Sequence, residues 1–256
     1  MADLLIDRDG LLAEVVAIAR EAGERILAHY DETVAVERKA DDSPVTQADL
    51  DANRLIAERL RAGTPDVPII AEESELPDYE ERRDWPRFWL VDPLDGTKEF
   101  IQRNGEFTVN IALVEDGMPT LGVVHAPARG LFYYAERERG SFEQVADDEP
   151  TRIVSAPADP SQPLSVVTSR SHPSEELERY LEQFEVRERV YAGSSLKFCA
   201  VAKGDADIYP RLGPTMEWDV AAGDCVYRNS SREGQHRSEL TYNKPDLRND
   251  GFVIGF

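Results

Sequence analysis

WLVDPLDGTKEF, at residues 89–100, joins an apolar run to two carboxylates and a tight turn. The apolar run predicts a buried strand, and we expect the strand to end at Asp92 because Pro93 cannot donate a hydrogen bond within a sheet. Asp95-Gly96 favours a tight turn, after which a short helix with free amides would suit a phosphate oxygen. Hard oxygen ligands beside such amides fit a Mg²⁺-dependent phosphate enzyme. The alternative is an ordinary strand-to-turn junction rich in Asp, Pro and Gly.

The length of 256 residues suits one large domain or two closely joined halves. We divide the chain into an N-terminal α+β half at residues 1–145, which carries the acidic loop, and a C-terminal α/β half at residues 146–256. Residues 147–150 and 156–163 are the most linker-like stretches. The apolar residues follow strand and helix periodicities, so a folded protein of the α+β or α/β class is expected.

Acidic residues dominate the composition, since 50 Asp and Glu stand against 29 Lys and Arg and give a formal charge of -21. No basic stripe is available to neutralise a nucleic-acid backbone, so DNA and RNA polymers are excluded as partners. A small phosphorylated substrate would also be repelled unless metal ions and a few placed cations reversed the local field. The scarcity of lysine leaves a salt-adapted host open.

The chain shows no sign of membrane insertion or export. No apolar run approaches the length that spans a membrane, and the acidic N-terminus is not a signal peptide. The protein is therefore expected in the cytoplasm, with a peripheral association with the inner membrane left open. Cys199 and Cys225 lack metal-type spacing, and buried thiols are favoured over a disulfide.

Periodicity and turn residues predict the remaining elements. Helices are expected at residues 11–27, with Asp9 as the N-cap, and at 46–60, 173–183 and 196–202. Strands are expected around Val34 and Val36 and at 67–71, 107–114, 120–126, 131–135, 164–168, 186–191 and 206–209. The strands between residues 107 and 135 form an antiparallel meander, and residues 74–87 form a loop or flap.

Three further carboxylates lie at the ends of predicted helices or strands, and each has a possible structural role and a possible functional role. Asp49 follows Thr46 at capping-box spacing, so it either caps a helix or serves as a base or outer metal partner. Glu72 ends a predicted buried strand and either binds a metal or faces water. Asp219 follows the turn at Gly213-Pro214 and either stabilises a helix dipole or supplies a metal ligand from the second half.

Together these blocks resemble the inositol monophosphatase superfamily of Mg²⁺-dependent, lithium-sensitive phosphatases. The blocks are Glu72-Glu73-Ser74, Asp92-Pro93-Leu94-Asp95-Gly96-Thr97 and Trp218-Asp219-Val220-Ala221-Ala222-Gly223. Within the superfamily, the chain is most similar to the 3'(2'),5'-bisphosphate nucleotidases of the CysQ type. That similarity is carried by SPVT at residues 43–46, DGTKEF at 95–100, NGEFTVN at 104–110, SRSH at 169–172, GSSLKFC at 193–199 and YPR at 209–211.

The resemblance implies a layered αβαβα sandwich with the active site between the two halves. It implies removal of the 3'-phosphate of adenosine 3',5'-bisphosphate, a small-molecule substrate, to give AMP and phosphate within sulfur assimilation. Two or three Mg²⁺ ions would be held by Glu72, Asp92, the carbonyl of Leu94, Asp95 and Asp219. Asp49 and Thr97 would orient or deprotonate the attacking water.

The resemblance also implies the substrate contacts. Backbone amides of Gly96 and Thr97 would hold the scissile phosphate, and the metal ligands Glu72, Leu94, Asp95 and Asp219 would meet the substrate too. Ser194, Lys197 and Arg211 would bind the nucleotide and its remaining phosphate, with His172 as a further candidate. Without the resemblance, Lys197 could be a solvated face residue, Arg211 a surface ion-pair partner and His172 a helix-entry residue.

Two other functions stay open at this point. One is an inositol monophosphatase or a sugar phosphatase similar to fructose-1,6-bisphosphatase, and the other is a non-catalytic acidic metal-binding protein. The chain also departs from the family pattern at residues 223–232, which are more polar than usual and lack a glycine-rich turn. Nucleoside contacts near residues 224–236 are therefore left unassigned. So are the preference between the bisphosphate and its sulfated relative, the number of metals bound at once and the oligomeric state.

Overall fold

The computed structural model describes residues 8–30, 36–38, 44–170, 174–232 and 236–256. The helices are α1 (Arg8–Tyr30), α2 (Gln47–Gly63), α3 (Tyr79–Arg82), α4 (Thr97–Ile101), α5 (Glu175–Leu181), α6 (Leu196–Lys203) and α7 (Glu217–Arg228). The strands are β1 (Val36–Arg38), β2 (Pro44–Thr46), β3 (Ile69–Ala71), β4 (Arg87–Asp95), β5 (Thr108–Glu115), β6 (Met118–Ala126), β7 (Leu131–Glu136), β8 (Gly140–Val145), β9 (Thr151–Ile153), β10 (Leu164–Thr168), β11 (Val186–Tyr191), β12 (Tyr209–Arg211), β13 (Thr215–Met216), β14 (Arg248–Asn249) and β15 (Phe252–Ile254).

Seven strands, β3 to β9, form one mixed sheet in chain order. β3 pairs parallel with β4, and each later neighbouring pair is antiparallel. The β5–β6 hairpin turns at Asp116 and Gly117, whose positive φ values of 50° and 74° suit a tight two-residue connection. The predicted antiparallel meander is therefore confirmed. β4 and β5 are buried along most of their lengths because helices cover both faces of the sheet.

Helices α1 and α2 cover one face of this sheet. Their apolar stripes, with Ile18 and Ile26 from α1 and Ile56 from α2, pack against sheet residues that include Trp89 and Ile111. Apolar residues three and four apart make each stripe, so the helix face that sequence periodicity predicted is the face that is buried. These two helices act as scaffold.

The opposite face of the sheet packs against α6 and α7, and these helices pack in turn against a second, smaller set of strands. In that set β10 pairs parallel with β11, while β12 pairs antiparallel with β15. A bridge between Val166 and Ile208 connects the two pairs, and α5 covers the outer face of β10. The layers therefore run helix, sheet, helix, sheet, helix, and the expected αβαβα sandwich is confirmed.

Three predicted boundaries in the first half are wrong for identifiable reasons. β4 does not end at Asp92 but continues to Asp95, and a register shift between the two residues marks a bulge that accommodates Pro93 outside the regular ladder. The predicted flap contains the short helix α3, because buried Arg82 donates to the side chain of Asn243 and to the carbonyl of Pro245. Asp9 lies inside α1 rather than capping it. Val34 lies outside the described residues.

Other boundaries shift because strand pairing overrides local pattern. The strand predicted at residues 67–71 is confined to β3, and the strand predicted at 206–209 begins only at Tyr209, where β15 pairs with it. The helix predicted at 173–183 is shorter: α5 begins after Ser174, whose hydroxyl accepts the amide of Leu177 at 3.4 Å. β8 and β9 were not predicted, since their short, mostly polar sequences lack an apolar signal.

The division of the chain at residues 145 and 146 stays a prediction. The linker-like residues 147–150 connect β8 to β9, and these two strands are neighbours in the large sheet. Both cysteines are buried free thiols, as predicted. Within the described ranges, no helix is long and apolar enough to cross a membrane.

His125 on β6 is expected to make folding stability sensitive to acid. Its ring stacks on Phe132 at 3.8 Å and its Nδ1 lies 3.0 Å from the carbonyl of Leu131, while burial lowers its pKa from 6.5 to about 4. The unfolded chain then binds a proton that the folded chain excludes, so stability falls as pH drops below 6.5 and levels off near 4.

His125→Asn keeps an amide donor but removes this titration. We measure the free energy of unfolding in urea for both proteins. Between pH 7.5 and pH 5, we expect the wild type to lose about 2 kcal/mol more of this free energy than the variant does. A difference that is the same at both pH values would contradict the burial of a neutral imidazole at this position.

Candidate active site

The bulge at the end of β4 shapes the centre of the site. Asp92 pairs with Asn110 and Asp95 with Thr108, so two residues of β4 lie opposite the single residue Val109 of β5, and β4 carries one extra residue. The amide of Leu94 donates to the Asp92 carboxylate at 3.0 Å, which fixes the loop from inside. The bulge therefore holds Asp92, Leu94 and Asp95 together at the end of a buried strand, where the sequence placed them.

Gly96 connects this bulge to α4 and meets the second half of the chain. Its φ of 93° lies in the left-handed region, and a Cβ there would overlap the hydroxyl of Ser194. The Ser194 hydroxyl shares its hydrogen between the carbonyl of Asp95, at 2.8 Å, and the carbonyl of Glu106, at 2.9 Å. Ser194 thus ties the two halves together beside the acidic loop. A contact between its side chain and a substrate stays a prediction.

Four carboxylates from three separate segments meet at the bulge. Asp92 is 2% exposed, and burial raises its pKa well above the usual range, helped by the charges of Glu72, Asp95 and Asp219. Glu72 follows β3, whose parallel pairing with β4 brings it beside Asp92. Asp219 arrives from α7, in the second half. Residues far apart in sequence therefore concentrate negative charge at one point.

The pKa values of Asp95 and Asp219 reflect this crowding. Burial raises the pKa of Asp95 to about 6, although the Lys197 ammonium and a hydrogen bond from Asn110 oppose the shift. Burial and the charge of Asp95 raise the pKa of Asp219 to about 8. Asp219 also accepts the amide of Met216 at 2.8 Å, so it fills the helix-capping role while facing the acidic cluster.

This donor set fits divalent cations. Carboxylate oxygens are the ligands that Mg²⁺ prefers, and mutual repulsion among buried carboxylates is relieved when a cation lies between them. Among the described residues, no group of three His, Cys, Asp or Glu side chains has the arrangement of a formed metal site.

Asp49 and Thr97 form a hydrogen-bonded pair beside the cluster. One Asp49 oxygen accepts the amide of Thr46 at 2.8 Å and its hydroxyl at 2.6 Å, which is the predicted capping arrangement. The other oxygen accepts the hydroxyl of Thr97 at 3.2 Å. Burial raises the pKa of Asp49, and the nearby charge of Glu72 raises it further. Asp49 therefore caps α2 and also accepts a hydrogen bond from Thr97, while its role as a base or outer metal partner stays a prediction.

The acidic cluster opens into a cleft of about 140 Å³ between the two halves. The residues that line it are Asp95, Gly96, Glu99, Ser169, Ser194, Ser195, Lys197, Phe198, Tyr209, Arg211, Thr215, Asp219 and Val220. Nine of the predicted site residues lie in the bulge, in α4 or along this cleft: Asp92, Leu94, Asp95, Gly96, Thr97, Ser194, Lys197, Arg211 and Asp219. The cleft is the one place in the described fold where both halves expose the predicted residues together.

Two cations line the cleft opposite the carboxylates. Lys197 on α6 is 7% exposed, so its reading as a solvated face residue is wrong. Burial lowers the pKa of Lys197 to about 8 even though Asp95 opposes that shift. Arg211 donates to the carbonyl of Pro214 at 3.1 Å, and its buried Nε has no hydrogen-bond partner among the described residues. His172 lies outside the described residues.

Glu217 is a positioning residue that the sequence did not reveal. It is fully buried at the start of α7, where its carboxylate accepts the amides of Asn243 at 2.7 Å and Lys244 at 2.9 Å. These bonds anchor the helix end that carries Asp219. A carboxylate next to a predicted ligand was visible in the sequence, but its distant partners were not.

The polar stretch after Gly223 is explained by a buried network. Asp224 pairs with Arg228 at 2.7 Å and accepts the hydroxyl of Tyr242 at 2.8 Å, while Arg228 also donates to the carbonyl of Leu240 at 3.1 Å. The network fastens α7 to the closing segment, so helical structure continues where the family pattern predicted small apolar residues. Residues 233–235 of the unassigned nucleoside region lie outside the described chain.

Comparisons with known proteins agree with this geometry. The model of the inositol monophosphatase family matches residues 7–230. The 3'(2'),5'-bisphosphate nucleotidase CysQ of Salmonella typhimurium is 50% identical over 218 residues, which are 84% of this chain and 86% of the relative. CysQ of Aggregatibacter actinomycetemcomitans is 37% identical over 96% of this chain and 92% of the relative. The crystal structure of CysQ from Bacteroides thetaiotaomicron superimposes with a TM-score of 0.80 at 36% identity, over 96% of this chain and 97% of that chain.

Proposed function

The chain belongs to the inositol monophosphatase family, and on that premise we propose that it removes the 3'-phosphate of adenosine 3',5'-bisphosphate to give AMP and phosphate. Relatives named as 3'(2'),5'-bisphosphate nucleotidases share about half of its residues over most of its length. The reaction is a hydrolysis of a phosphomonoester, and the chain is an enzyme of that class. The proposal includes a cytoplasmic location.

One observation carries the proposal: Asp95 and Asp219 line the same cleft as the cations Lys197 and Arg211, and Asp92 and Glu72 lie beside these two carboxylates. The carboxylates suit divalent ions that hold the scissile phosphate. The cations Lys197 and Arg211 suit a second phosphate on the same small molecule. A substrate with one phosphate would leave the buried Lys197 and the half-buried Arg211 without an anionic partner from the substrate.

The family is generally dependent on Mg²⁺, and the donor set fits it. We propose that Glu72, Asp92, Asp95, Asp219 and the carbonyl of Leu94 hold the ions, and that two or three are bound at once. When bound, these ions supply the positive charge that neutralises the phosphate oxygens and eases the deprotonation of water. That charge would also restore the ionised forms of carboxylates whose pKa values are now raised.

Asp49 and Thr97 would prepare the attacking water. The Thr97 hydroxyl donates its hydrogen to Asp49, so its oxygen can accept a hydrogen from water. As that proton leaves, Thr97 can pass its own hydrogen to Asp49, whose raised pKa makes it a better base. The bonds from Thr46 keep the carboxylate in place during this exchange.

The rest of the site would position the substrate. We propose that the amides of Gly96 and Thr97 bind the scissile phosphate, because the left-handed backbone at Gly96 removes a side chain from the approach. Ser194, Lys197 and Arg211 would bind the nucleotide and its other phosphate on the opposite wall. Catalysis then depends mainly on position and charge neutralisation, as is general for phosphoryl transfer.

A two-substrate assay tests the proposed function. Phosphate release is measured from adenosine 3',5'-bisphosphate and from inositol 1-phosphate, with and without Mg²⁺, and again with Li⁺. We expect faster turnover of the nucleotide, dependence on Mg²⁺ and inhibition by Li⁺. Faster turnover of inositol 1-phosphate would overturn the substrate assignment while leaving the metal site standing.

Lys197→Ala and Arg211→Ala are expected to raise KM for the bisphosphate by about 10- to 100-fold, because each removes a charged hydrogen bond worth about 1.5–3 kcal/mol. KM for inositol 1-phosphate should change much less. Lys203→Ala is the matched control: Lys203 ends the same helix, and its ammonium pairs with Glu143 at 2.9 Å. Equal losses on both substrates would contradict a role in binding the second phosphate.

A further inference from the structure

The two cations already placed in the cleft are also needed to neutralise nearby carboxylates, so they provide little spare positive charge for a second phosphate. Lys197 interacts with the carboxylates of Asp95, Glu99 and Glu106, and Arg211 interacts with Asp219. Both cations therefore partly neutralise the protein itself. Metal ions would neutralise the scissile phosphate, but the second phosphate depends on side-chain cations, and in a protein of formal charge -21 a further cation near the cleft would favour its binding.

Arg170 is such a cation at the rim of the cleft. It follows Ser169, which lines the cleft, at the end of β10. Its side chain is 62% exposed, and one guanidinium nitrogen lies 3.3 Å from the carboxylate of Glu106. An exposed guanidinium held by one long ion pair can turn towards a phosphate at little cost, and its planar fork suits phosphate oxygens.

Glu106 is fixed on the other side of this ion pair. Its side chain is 4% exposed, and Arg129 donates to the same carboxylate oxygen at 2.7 Å. Its backbone carbonyl accepts the Ser194 hydroxyl, and a Cβ on Gly193 would overlap that carbonyl. Glu106 therefore stays in place and stays neutralised by Arg129 when Arg170 turns away.

Resting on the proposed function, we propose that Arg170 binds the second phosphate of the nucleotide, and that Glu106 holds its guanidinium at the cleft rim until the substrate arrives. Arg170 is then a specificity residue, since it meets only the phosphate that is not hydrolysed. Glu106 is a positioning residue, since it acts through Arg170 and Ser194.

Kinetics with a matched pair of substrates test this assignment. Adenosine 3',5'-bisphosphate and adenosine 3'-monophosphate share the scissile phosphate, but only the first carries the 5'-phosphate. We expect Arg170→Ala to raise KM for the bisphosphate about tenfold or more, with kcat nearly unchanged, and to leave kcat/KM for the monophosphate within twofold of wild type. Arg170→Lys should recover part of the loss, because it keeps the charge but not the fork.

Arg187→Ala is the control: Arg187 lies on β11, the strand that pairs with β10, its side chain is 59% exposed, and it pairs with Asp207 at 3.4 Å. Its removal should leave kcat/KM for both adenosine substrates unchanged. Equal losses on both substrates in Arg170→Ala, or no loss on either, would overturn the assignment. A different result would contradict the proposed function itself: wild-type enzyme that hydrolyses inositol 1-phosphate faster than the bisphosphate. If the wild type keeps its preference for the bisphosphate and Arg170→Ala lowers kcat/KM equally for both adenosine substrates, only the role proposed for Arg170 is contradicted.

Discussion

Asp95→Asn is expected to lower kcat/KM for adenosine 3',5'-bisphosphate by about 10³-fold or more, equivalent to about 4 kcal/mol of transition-state stabilisation. Asp95 lies at the centre of the site, where the bulge of β4 meets the cleft, and its carboxylate faces Lys197 and Asn110. Replacing it by an amide keeps the shape and the hydrogen bonds but removes one negative ligand. Phosphate release at saturating Mg²⁺ measures the loss.

The same variant should gain stability when Mg²⁺ is absent. Asp95 and Asp219 have pKa values raised by burial to about 6 and about 8, so the folded chain retains protons that the unfolded chain releases. Stability without Mg²⁺ therefore falls as pH rises from about 4 towards 8. Removing one charge from the cluster relieves this effect, and thermal unfolding with EDTA at pH 8 should show a higher midpoint for Asp95→Asn than for wild type.

Asp66→Asn is the matched control, because Asp66 lies exposed in the turn before β3. It should change neither hydrolysis nor the stability without Mg²⁺. Full hydrolysis by Asp95→Asn would contradict the role of this carboxylate in the mechanism.

Thr97→Val is expected to lower kcat by about 10²- to 10³-fold with little change in KM, since the pair with Asp49 acts on water and not on the substrate. Valine has nearly the shape of threonine but cannot accept a hydrogen from water or pass one to Asp49. Thr97→Ser keeps the hydroxyl and should recover most of the rate. Steady-state kinetics with the bisphosphate give both constants.

A structural role for Thr97 would give a different pattern. If the hydroxyl only supported α4, Thr97→Val would lower the unfolding midpoint and raise KM along with the loss of kcat. Asp49→Asn provides a second test, because its one amide oxygen can still accept from Thr46, while the amide nitrogen in the other position can neither accept the Thr97 hydroxyl nor take up a proton. Unchanged kcat in both Thr97→Val and Asp49→Asn would remove the pair from the mechanism.

The acidic loop at residues 92–97 could be predicted from sequence because its signals are local. Two carboxylates around Pro93 and a glycine in the left-handed region are features of a few adjacent residues, and the structure has them in the expected order. The capping spacing of Thr46 and Asp49 is local in the same way. The layered fold followed from periodicity, since both faces of the large sheet and one face of each helix are buried.

The supporting contacts could not be predicted because both partners are distant in sequence. Glu106 meets Arg129, Arg170 and Ser194 only after the halves fold together, and Glu217 meets Asn243 and Lys244 in the same way. Each of these residues reads as a solvent-exposed charge when its neighbours in the chain are considered alone. Burial of such charges is tolerated because each is paired and hydrogen-bonded.

Calorimetric titration of Mg²⁺ into the wild-type protein and into Asp219→Asn tests most directly whether acids from both halves form one cation site. We predict that Asp219→Asn weakens Mg²⁺ binding at least tenfold, although Asp219 lies on α7 and the loop carrying Asp92 and Asp95 lies in the other half. The variant should remain folded, with its unfolding midpoint in EDTA at or above that of wild type. Mg²⁺ affinity equal to that of wild type would contradict the account.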